Sequence, residues 1–93
     1  MNEKYILKDN FEIVCYDDIS ILVKKDNSDN VFMLTDSAKI LIARLDTPKT
    51  KKELVNILRK QYYVDEYTAS IDIEDFLNSL INLDVLKILK SMY

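Results

Sequence analysis

"NVFMLTDSAKIL", residues 30–41, changes its periodicity halfway along and marks the junction of two secondary structures. Its first half contains VFML, a short apolar run that is typical of a strand. From Ala38 onward, apolar residues recur at helical spacing. Thr35 and Asp36 lie at the junction, and either side chain can cap the first backbone N–H groups of a helix. The stretch predicts a strand that leads into a helix with almost no loop between them.

The segments before this junction alternate in the manner of β-strands. FEIVCY, residues 11–16, and ISILVKK, residues 19–25, are both rich in β-branched and aromatic residues. Asp17 and Asp18 lie between them, and aspartate supports a tight hairpin turn. The polar stretch DNSDN then leads to the VFML strand. Together these segments predict a three-stranded antiparallel meander.

Three helices are predicted from the junction onward. The first ends near Pro48, because the residue before a proline is disfavoured in a helix. Thr50 and Glu53 have capping-box spacing and mark the start of the second helix. The third is expected from about Ala69 to Leu83, and Asp84 stands where a helix-ending glycine is usual. The residues of the third helix at inward spacing are Ile73, Phe76, Leu77, Leu80 and Leu83.

These elements predict an α+β fold of the winged helix-turn-helix-like kind, with a three-stranded antiparallel sheet followed by three helices. VLKILK, residues 85–90, is apolar enough to pack back on the core as a strand or a short helix. No apolar run approaches the ~20 residues that span a bilayer, and MNEKYILKDN lacks the long apolar core of a signal peptide. We therefore expect one cytoplasmic domain over residues 1–93, with its core at about 11–88 and no membrane partner.

Composition narrows the possible functions. The 93 residues include no histidine and no glycine. The commonest general base and zinc ligand is therefore missing, as are the Gly-rich loops that bind phosphates and dinucleotides. The single cysteine, Cys15, has no histidine to activate it and, within an apolar stretch, is expected to be a small buried hydrophobe. We expect no enzyme, no metal site and no cofactor.

The distribution of charge argues against nucleic acid as a partner. A DNA recognition helix needs Lys or Arg near the phosphates, whereas the net charge here is −3. No basic residue lies between Val64 and Asp84, and the acidic residues of this stretch are Asp65, Glu66, Asp72, Glu74, Asp75 and Asp84. The lysines of the second helix are explained by a solvated helix face. A small winged-helix DNA-binding transcriptional regulator remains the alternative hypothesis.

The VFML strand raises the question of what covers its outer edge. The last strand of a meander pairs on one side only, and an apolar, uncharged strand is poorly protected against pairing with another chain. Either another polypeptide adds to this edge as a strand, or the N-terminal YIL or the C-terminal VLKIL covers it. The composition of the sequence favours neither of these two alternatives. An uncovered edge also permits strand exchange, so the sequence is compatible with a monomer or a strand-paired dimer.

VFMLTDSAKILIARLDTPKTKKELVNILRKQYYV, followed by SIDIEDFLNSLINLDVL, resembles the PqqD-like family of RiPP precursor peptide recognition elements. That family has an aliphatic strand ending in Leu-Asn, an Ile-Leu helix, a Thr-x-x-Glu-aliphatic helix and a closing Phe-Leu-x-x-Leu helix. Thr35 replaces the usual Asn and keeps a capping oxygen. The likeness covers about residues 11–88. The matching residues are Leu34, Ala38, Ile40, Leu41, Leu45, Asp46, Thr50, Glu53, Leu54, Tyr62, Asp72, Ile73, Phe76, Leu77, Leu80 and Leu86.

The resemblance implies a domain that catalyses nothing and binds the leader segment of a ribosomally synthesised precursor peptide. The leader would add as an antiparallel strand to the third strand of the meander, in a groove against the third helix. The domain would thereby present the peptide to a maturation enzyme, such as a radical SAM enzyme, a cyclodehydratase or a leader protease.

For this sequence the resemblance implies a docking edge, in which Phe32 and Leu34 face the core and Val31 and Met33 are exposed. The third helix would form the opposite wall of the groove. The residues expected to line it there are Asp72, Asp75, Phe76 and Ser79. The two carboxylates either pair with Lys or Arg of the leader or are solvated helix charges, since exposed ion pairs contribute only ~0–1 kcal/mol.

Overall fold

The computed structural model describes residues 3–26 and 30–90, with the backbone alone at residues 30–32. It confirms the predicted α+β fold, because an antiparallel three-stranded sheet is followed by three helices. The strands are β1 (Lys4–Leu7), β2 (Phe11–Tyr16), β3 (Ile19–Lys24), β4 (Asn30–Leu34), β5 (Lys49–Thr50) and β6 (Leu86–Leu89). The helices are α1 (Asp36–Arg44), α2 (Lys51–Gln61) and α3 (Glu66–Asn82).

The predicted meander forms a sheet in the order β2–β3–β4. Tyr16 pairs with Ile19 across the turn at Asp17 and Asp18. Asp17 has a φ of 51°, a left-handed conformation that aspartate adopts more readily than most residues because its short polar side chain can hydrogen-bond locally. The two aspartates therefore form the tight hairpin that the sequence predicts without a glycine.

Thr35 is the single residue between β4 and α1. Its backbone is extended, and its side-chain oxygen accepts a hydrogen bond from the backbone N–H of Ala38 at 3.2 Å. This is the geometry of a helix N-cap. Asp36 follows in the first turn, where its negative charge interacts favourably with the helix dipole. Strand and helix can therefore follow one another without a loop, because the cap provides an acceptor for one of the free N–H groups at the start of the helix.

The other two helices also begin at capping residues. The predicted capping box is present: Glu53 N–H donates to Thr50 Oγ1 at 3.1 Å, and Thr50 N–H donates to Glu53 Oε1 at 2.8 Å. α3 begins at Glu66, earlier than the predicted start at about Ala69. The difference arises because Asp65 caps the helix through its carboxylate. The break between α2 and α3 is correspondingly shorter than the sequence suggests.

The two terminal segments form a second sheet that the sequence analysis does not predict. β1 is the central strand and pairs antiparallel with both β5 and β6. Residues 85–90, which the sequence left as strand or helix, therefore contribute a strand. YIL lies in β1 and LKIL forms β6, so these segments pair with each other and not with β4. Short apolar segments far apart in sequence carry no local information about which strand each will join.

The hydrophobic core lies between one face of the β2–β3–β4 sheet and the three helices. Leu22 of β3, Leu54 of α2 and Ile73 of α3 are fully buried in it. The other buried residues of this core are Phe11, Leu34, Ala38, Leu41, Ile42, Leu45, Val55, Leu58, Ala69, Leu77, Leu80, Val85 and Leu86. Among the described helices, none has the length and apolar character needed to traverse a membrane.

Two residues that the sequence places in the core are exposed. Cys15 lies on the outer strand β2 beside the hairpin turn, and its Sγ is 3.5 Å from Ser20 Oγ. Leu83 is the C-cap of α3, where the chain leaves its helical course, and is 39% exposed. Asp84 follows with a φ of 60°, the left-handed conformation that usually selects glycine at a helix end. Helical spacing alone therefore overestimates how far the buried stripe extends.

Candidate functional site

β4 is paired on one side and open on the other. Within residues 3–26 and 30–90, its only strand neighbour is β3. The sequence left open whether YIL or VLKIL covers this edge, and in the described chain neither does so. Among the described residues, the outer edge of β4 therefore has no strand partner.

The pairing register of β2, β3 and β4 identifies a β4 residue whose backbone N–H and C=O point to the open edge. In antiparallel pairs, alternate residues direct both N–H and C=O to the same neighbour. The two-residue turn makes Tyr16 and Ile19 a hydrogen-bonded pair. The next residue, Ser20, therefore directs its backbone N–H and C=O towards β4, where it pairs with Leu34. Met33, one position before Leu34, directs its N–H and C=O to the open edge.

A cavity of about 590 Å³ lies beside the C-terminal end of β4. Its walls come from the start of α1, the end of α2 with the segment that follows it, and one side of α3. Most of the wall is apolar. The lining residues are Thr35, Asp36, Ser37, Ala38, Leu41, Leu58, Tyr62, Val64, Asp72, Ile73, Asp75, Phe76 and Ser79.

The structure brings together the four α3 residues that the sequence assigns to a groove. Asp72, Asp75, Phe76 and Ser79 all line this cavity. Their spacing places them on one side of the helix, since residues three and four positions apart are neighbours on its surface. Phe76 is half-buried and packs against the core. A contact between these residues and a peptide stays a prediction.

The predicted docking edge follows the expected alternation where its side chains are described. Leu34 is 8% exposed and lies in the core, whereas Met33 is 69% exposed. The backbones of Val31 and Phe32 belong to β4. The orientation predicted for the side chains of these two residues lies outside the described part of the structure.

The cavity also contains residues that the sequence analysis did not assign to a site. Asp36 and Ser37 are there because α1 begins directly after the β4 edge. Tyr62 and Val64 are there because α2 ends beside α3. The change from strand to helix within residues 30–41 is a local signal for Asp36 and Ser37. The position of Tyr62 and Val64 follows only from tertiary packing.

The charged residues that line the described cavity wall are all acidic. They are Asp36, Asp72 and Asp75, with no Lys or Arg among the lining residues. Other acids of α3 have partners outside the cavity: Glu66 lies 3.4 Å from Arg59, and Glu74 lies 3.2 Å from Lys51. Asp36, Asp72 and Asp75 form no ion pair with the other described residues. This surface would repel a phosphate backbone, so the DNA-binding hypothesis gains nothing from the structure.

Other reactive groups lie away from the cavity. A hydrogen bond with Ser20 lowers the pKa of the Cys15 thiol, and the nearby Lys39 ammonium lowers it further. Cys15 is exposed on β2 and is not one of the lining residues. In the described ranges, no group of three or more Cys, Asp or Glu side chains could hold a metal ion.

Two solved structures share this fold. A chain of TbiB1 in complex with the TbiA(beta) leader peptide has a TM-score of 0.72 and 26% sequence identity, with 88% of this chain and 94% of that chain covered. Lasso peptide synthetase B1, complexed with the leader peptide, has a TM-score of 0.72 and 19% identity, with 89% and 96% covered. The second likeness concerns the fold alone. No curated protein sequence matches this chain.

A family model covers most of the sequence. The model for coenzyme PQQ synthesis protein D (PqqD) matches residues 20–86. This range includes β4, its open edge, the three helices and all residues that line the cavity. The family resemblance stated from the sequence is therefore confirmed. The chain belongs to the PqqD family.

Proposed function

We propose that this chain binds the leader segment of a ribosomally synthesised precursor peptide by strand addition to β4. The open β4 edge beside the 590 Å³ cavity is the observation that carries the proposal. Free backbone groups on such an edge supply affinity, and pockets for alternate side chains supply specificity. Further support comes from TbiB1, which is 26% identical and was solved in complex with a leader peptide.

The added strand would extend the sheet to β2–β3–β4–leader. Its backbone would pair with Met33, whose N–H and C=O point outward. Beside Val31 the register of β4 against β3 shifts, so the strict alternation does not extend to this residue. The leader is proposed to run antiparallel to β4, with α3 as the opposite wall. Asp72, Asp75, Phe76 and Ser79 would then face the peptide from that wall.

We infer a binding role without catalysis for the single domain spanning residues 1–93. The domain would hold the leader so that the rest of the precursor reaches a maturation enzyme in the cytoplasm. A radical SAM enzyme, a cyclodehydratase and a leader protease are the classes of partner that fit this role. Contacts between that enzyme and the domain would raise the overall affinity through effective concentration.

A titration tests the proposal directly. Fluorescein-labelled leader peptides, taken from short reading frames beside the gene, are titrated with the protein and followed by fluorescence anisotropy. We expect saturable binding with a micromolar to submicromolar Kd, because one strand buries less than a standard interface of ~1,600 Å². Absence of saturable binding for every encoded leader would contradict the proposal.

A matched pair of proline variants locates the binding edge. Met33→Pro removes an outward N–H from β4 and should abolish binding. Cys15→Pro is the control, since Cys15 precedes the hydrogen-bonded Tyr16 and directs its N–H to the opposite edge of the same sheet. Circular dichroism establishes that both variants are folded. Equal loss of binding in the two variants would count against the β4 edge.

Modified peptides test the same geometry without changing the protein. N-methylation at alternate leader residues removes the N–H groups that point to β4, whereas methylation at the intervening residues removes groups that point away. We expect binding to be lost in one set and kept in the other. Tight binding to duplex DNA, with steep salt dependence and no effect of Met33→Pro, would support the regulator hypothesis instead.

The open edge also bears on the oligomeric state, because β4 of a second copy can pair with it. We expect any dimer that forms at high protein concentration to dissociate when leader peptide is added. Sedimentation velocity with and without peptide measures this competition. A dimer that persists at saturating peptide would have its interface elsewhere.

A further inference from the structure

We propose that the leader carries Lys or Arg residues that face α3, together with an apolar side chain that enters the cavity. This inference rests on the proposed function and specifies the chemistry of the peptide that the site selects. Its basis is the combination of an apolar cavity wall with charges of a single sign beside an open strand edge.

The carboxylates around the cavity lack a basic partner within the described chain. Asp72 and Asp75 lie three positions apart on one side of α3, and Asp36 lines the cavity from the start of α1. The lysine and arginine that pair with α3, Lys51 and Arg59, contact other acids. Positive charge from the leader would be attracted to these three carboxylates. An acidic leader would be repelled by them, so charge discriminates against the wrong partner as well as favouring the right one.

The cavity wall specifies the second part of the motif. Leu41, Leu58, Ile73 and Phe76 offer an apolar surface to a side chain that enters from the strand edge. Alternate residues of a strand share one face, so leader residues i and i+2 would both be directed towards α3. One would be apolar and enter the cavity. The other would be Lys or Arg, whose methylene stem lies along the wall while its charged end reaches the carboxylates.

The position of the cavity predicts the order of these features in the leader. The cavity adjoins Thr35 and Asp36, which follow the C-terminal end of β4. On an antiparallel strand, the residue beside that end lies earliest in the paired segment. The apolar anchor should therefore lie at the N-terminal end of the segment that pairs with β4. The remainder of the precursor would leave the domain at the Asn30 end of the strand.

Selection from a displayed library of random peptides tests this chemistry without knowledge of the natural leader. Peptides of about 12 residues, long enough for a paired strand at ~3.3 Å per residue and an anchor, are selected on the wild-type protein. A parallel selection uses the Asp72→Asn/Asp75→Asn variant. We expect an apolar residue with Lys or Arg two positions away in the first selection. The basic enrichment should disappear in the second while the apolar preference remains.

Affinity measurements then quantify the effect on one selected basic peptide. Asp72→Asn/Asp75→Asn should weaken its binding about threefold to tenfold, as expected for two exposed ion pairs. Raised ionic strength should weaken binding to the wild type in the same direction. Glu74→Gln removes an α3 acid that pairs with Lys51 and does not line the cavity, so this control should stay within about twofold.

The outcomes separate this inference from the function on which it rests. If wild-type protein selects no peptide whose binding Met33→Pro abolishes, the proposed function fails. If it selects such peptides without basic residues, or if the double variant keeps the basic preference, only the charge inference fails. A charge-reversed Asp72→Lys/Asp75→Lys variant that selects Asp or Glu in place of Lys or Arg would support it.

Discussion

The described residues form two sheets that have three strands each but opposite edge chemistry. In the β5–β1–β6 sheet, β5 consists of Lys49 and Thr50 alone, and β6 carries Lys87. Short strands and lysines discourage pairing with another chain. β4 has the sequence NVFML, without a charge, and its outer edge is open within the described chain. The two sheets therefore differ in the composition of their edges and not in the number of their strands.

The first sheet has a second edge, which sharpens the comparison. β2 also has a strand neighbour on one side only in the described region, but it carries the charged Glu12. The 590 Å³ cavity adjoins the end of β4, and no β2 residue is part of its lining. An open edge offers hydrogen bonds to any strand. Under the proposed function, the neighbouring cavity would allow the β4 edge to select among side chains.

The largest expected effect separates a structural sheet from a binding edge. Leu86 in β6 is buried at 6% exposure, whereas Met33 in β4 is 69% exposed. Leu86→Ala should lower the free energy of unfolding by about 2–5 kcal/mol, because it leaves a cavity in the core. Met33→Ala should change it by no more than about 0.5 kcal/mol. Urea unfolding followed by circular dichroism measures the free energy of unfolding of both variants. Comparable losses of stability in the two variants would contradict the distinction between a structural sheet and an exposed binding edge.

An intermediate effect is expected at the two threonine caps, one beside each sheet. Thr35 caps α1 after β4, and Thr50 ends β5 and caps α2. Each Thr→Ala substitution should cost about 1 kcal/mol of stability, because a helix N-terminal N–H loses its acceptor.

Peptide binding should distinguish these two caps. Thr35 lines the cavity and Thr50 does not. Thr35→Ala should therefore also raise the Kd for leader peptide, while Thr50→Ala leaves it unchanged at temperatures where both proteins are folded. Unchanged binding in both variants would show that the start of α1 plays no part in the site.

The smallest expected effect is a pH dependence near the second sheet. The hydrogen bond from the Thr50 backbone and the bond with its side chain lower the pKa of Glu53 below its ordinary value near 4.5. The hydrogen bond from Lys8, and then the charge of Lys8, lower the pKa of Asp84 below 3.8. Because both pKa values are depressed in the folded state, this stabilisation is present above the ordinary values and is lost as pH falls through the lowered ones.

Unfolding experiments check this pH dependence. We expect the urea midpoint of the wild type to fall modestly between near-neutral pH and acid conditions below the ordinary carboxylate range. Glu53→Gln and Asp84→Asn should each flatten the decline slightly. An unchanged decline in the combined variant would mean that other carboxylates produce it.

Much of the fold is predictable because its signals are local. The hairpin depends on two adjacent aspartates, and Asp17 adopts the left-handed conformation that such a turn needs. Thr35 and Thr50 cap helices through N–H groups only three positions along the chain. Helical periodicity also places the four α3 residues that line the cavity on one side of the helix, whereas their assignment to a groove came from the family resemblance. Local rules were less reliable at Cys15 and Leu83, where the end of an element lies outside the packed core.

The sequence by itself determined the three strands of the meander, the starts of α1 and α2, and the acidic character of α3, because these features depend on neighbouring residues. Tertiary structure alone decided that β1 pairs with β5 and β6, that the described β4 edge stays open, and that three helices surround one cavity. Segments distant in sequence compete for the same partners, and that competition is resolved by how their side chains pack together, which no local pattern encodes.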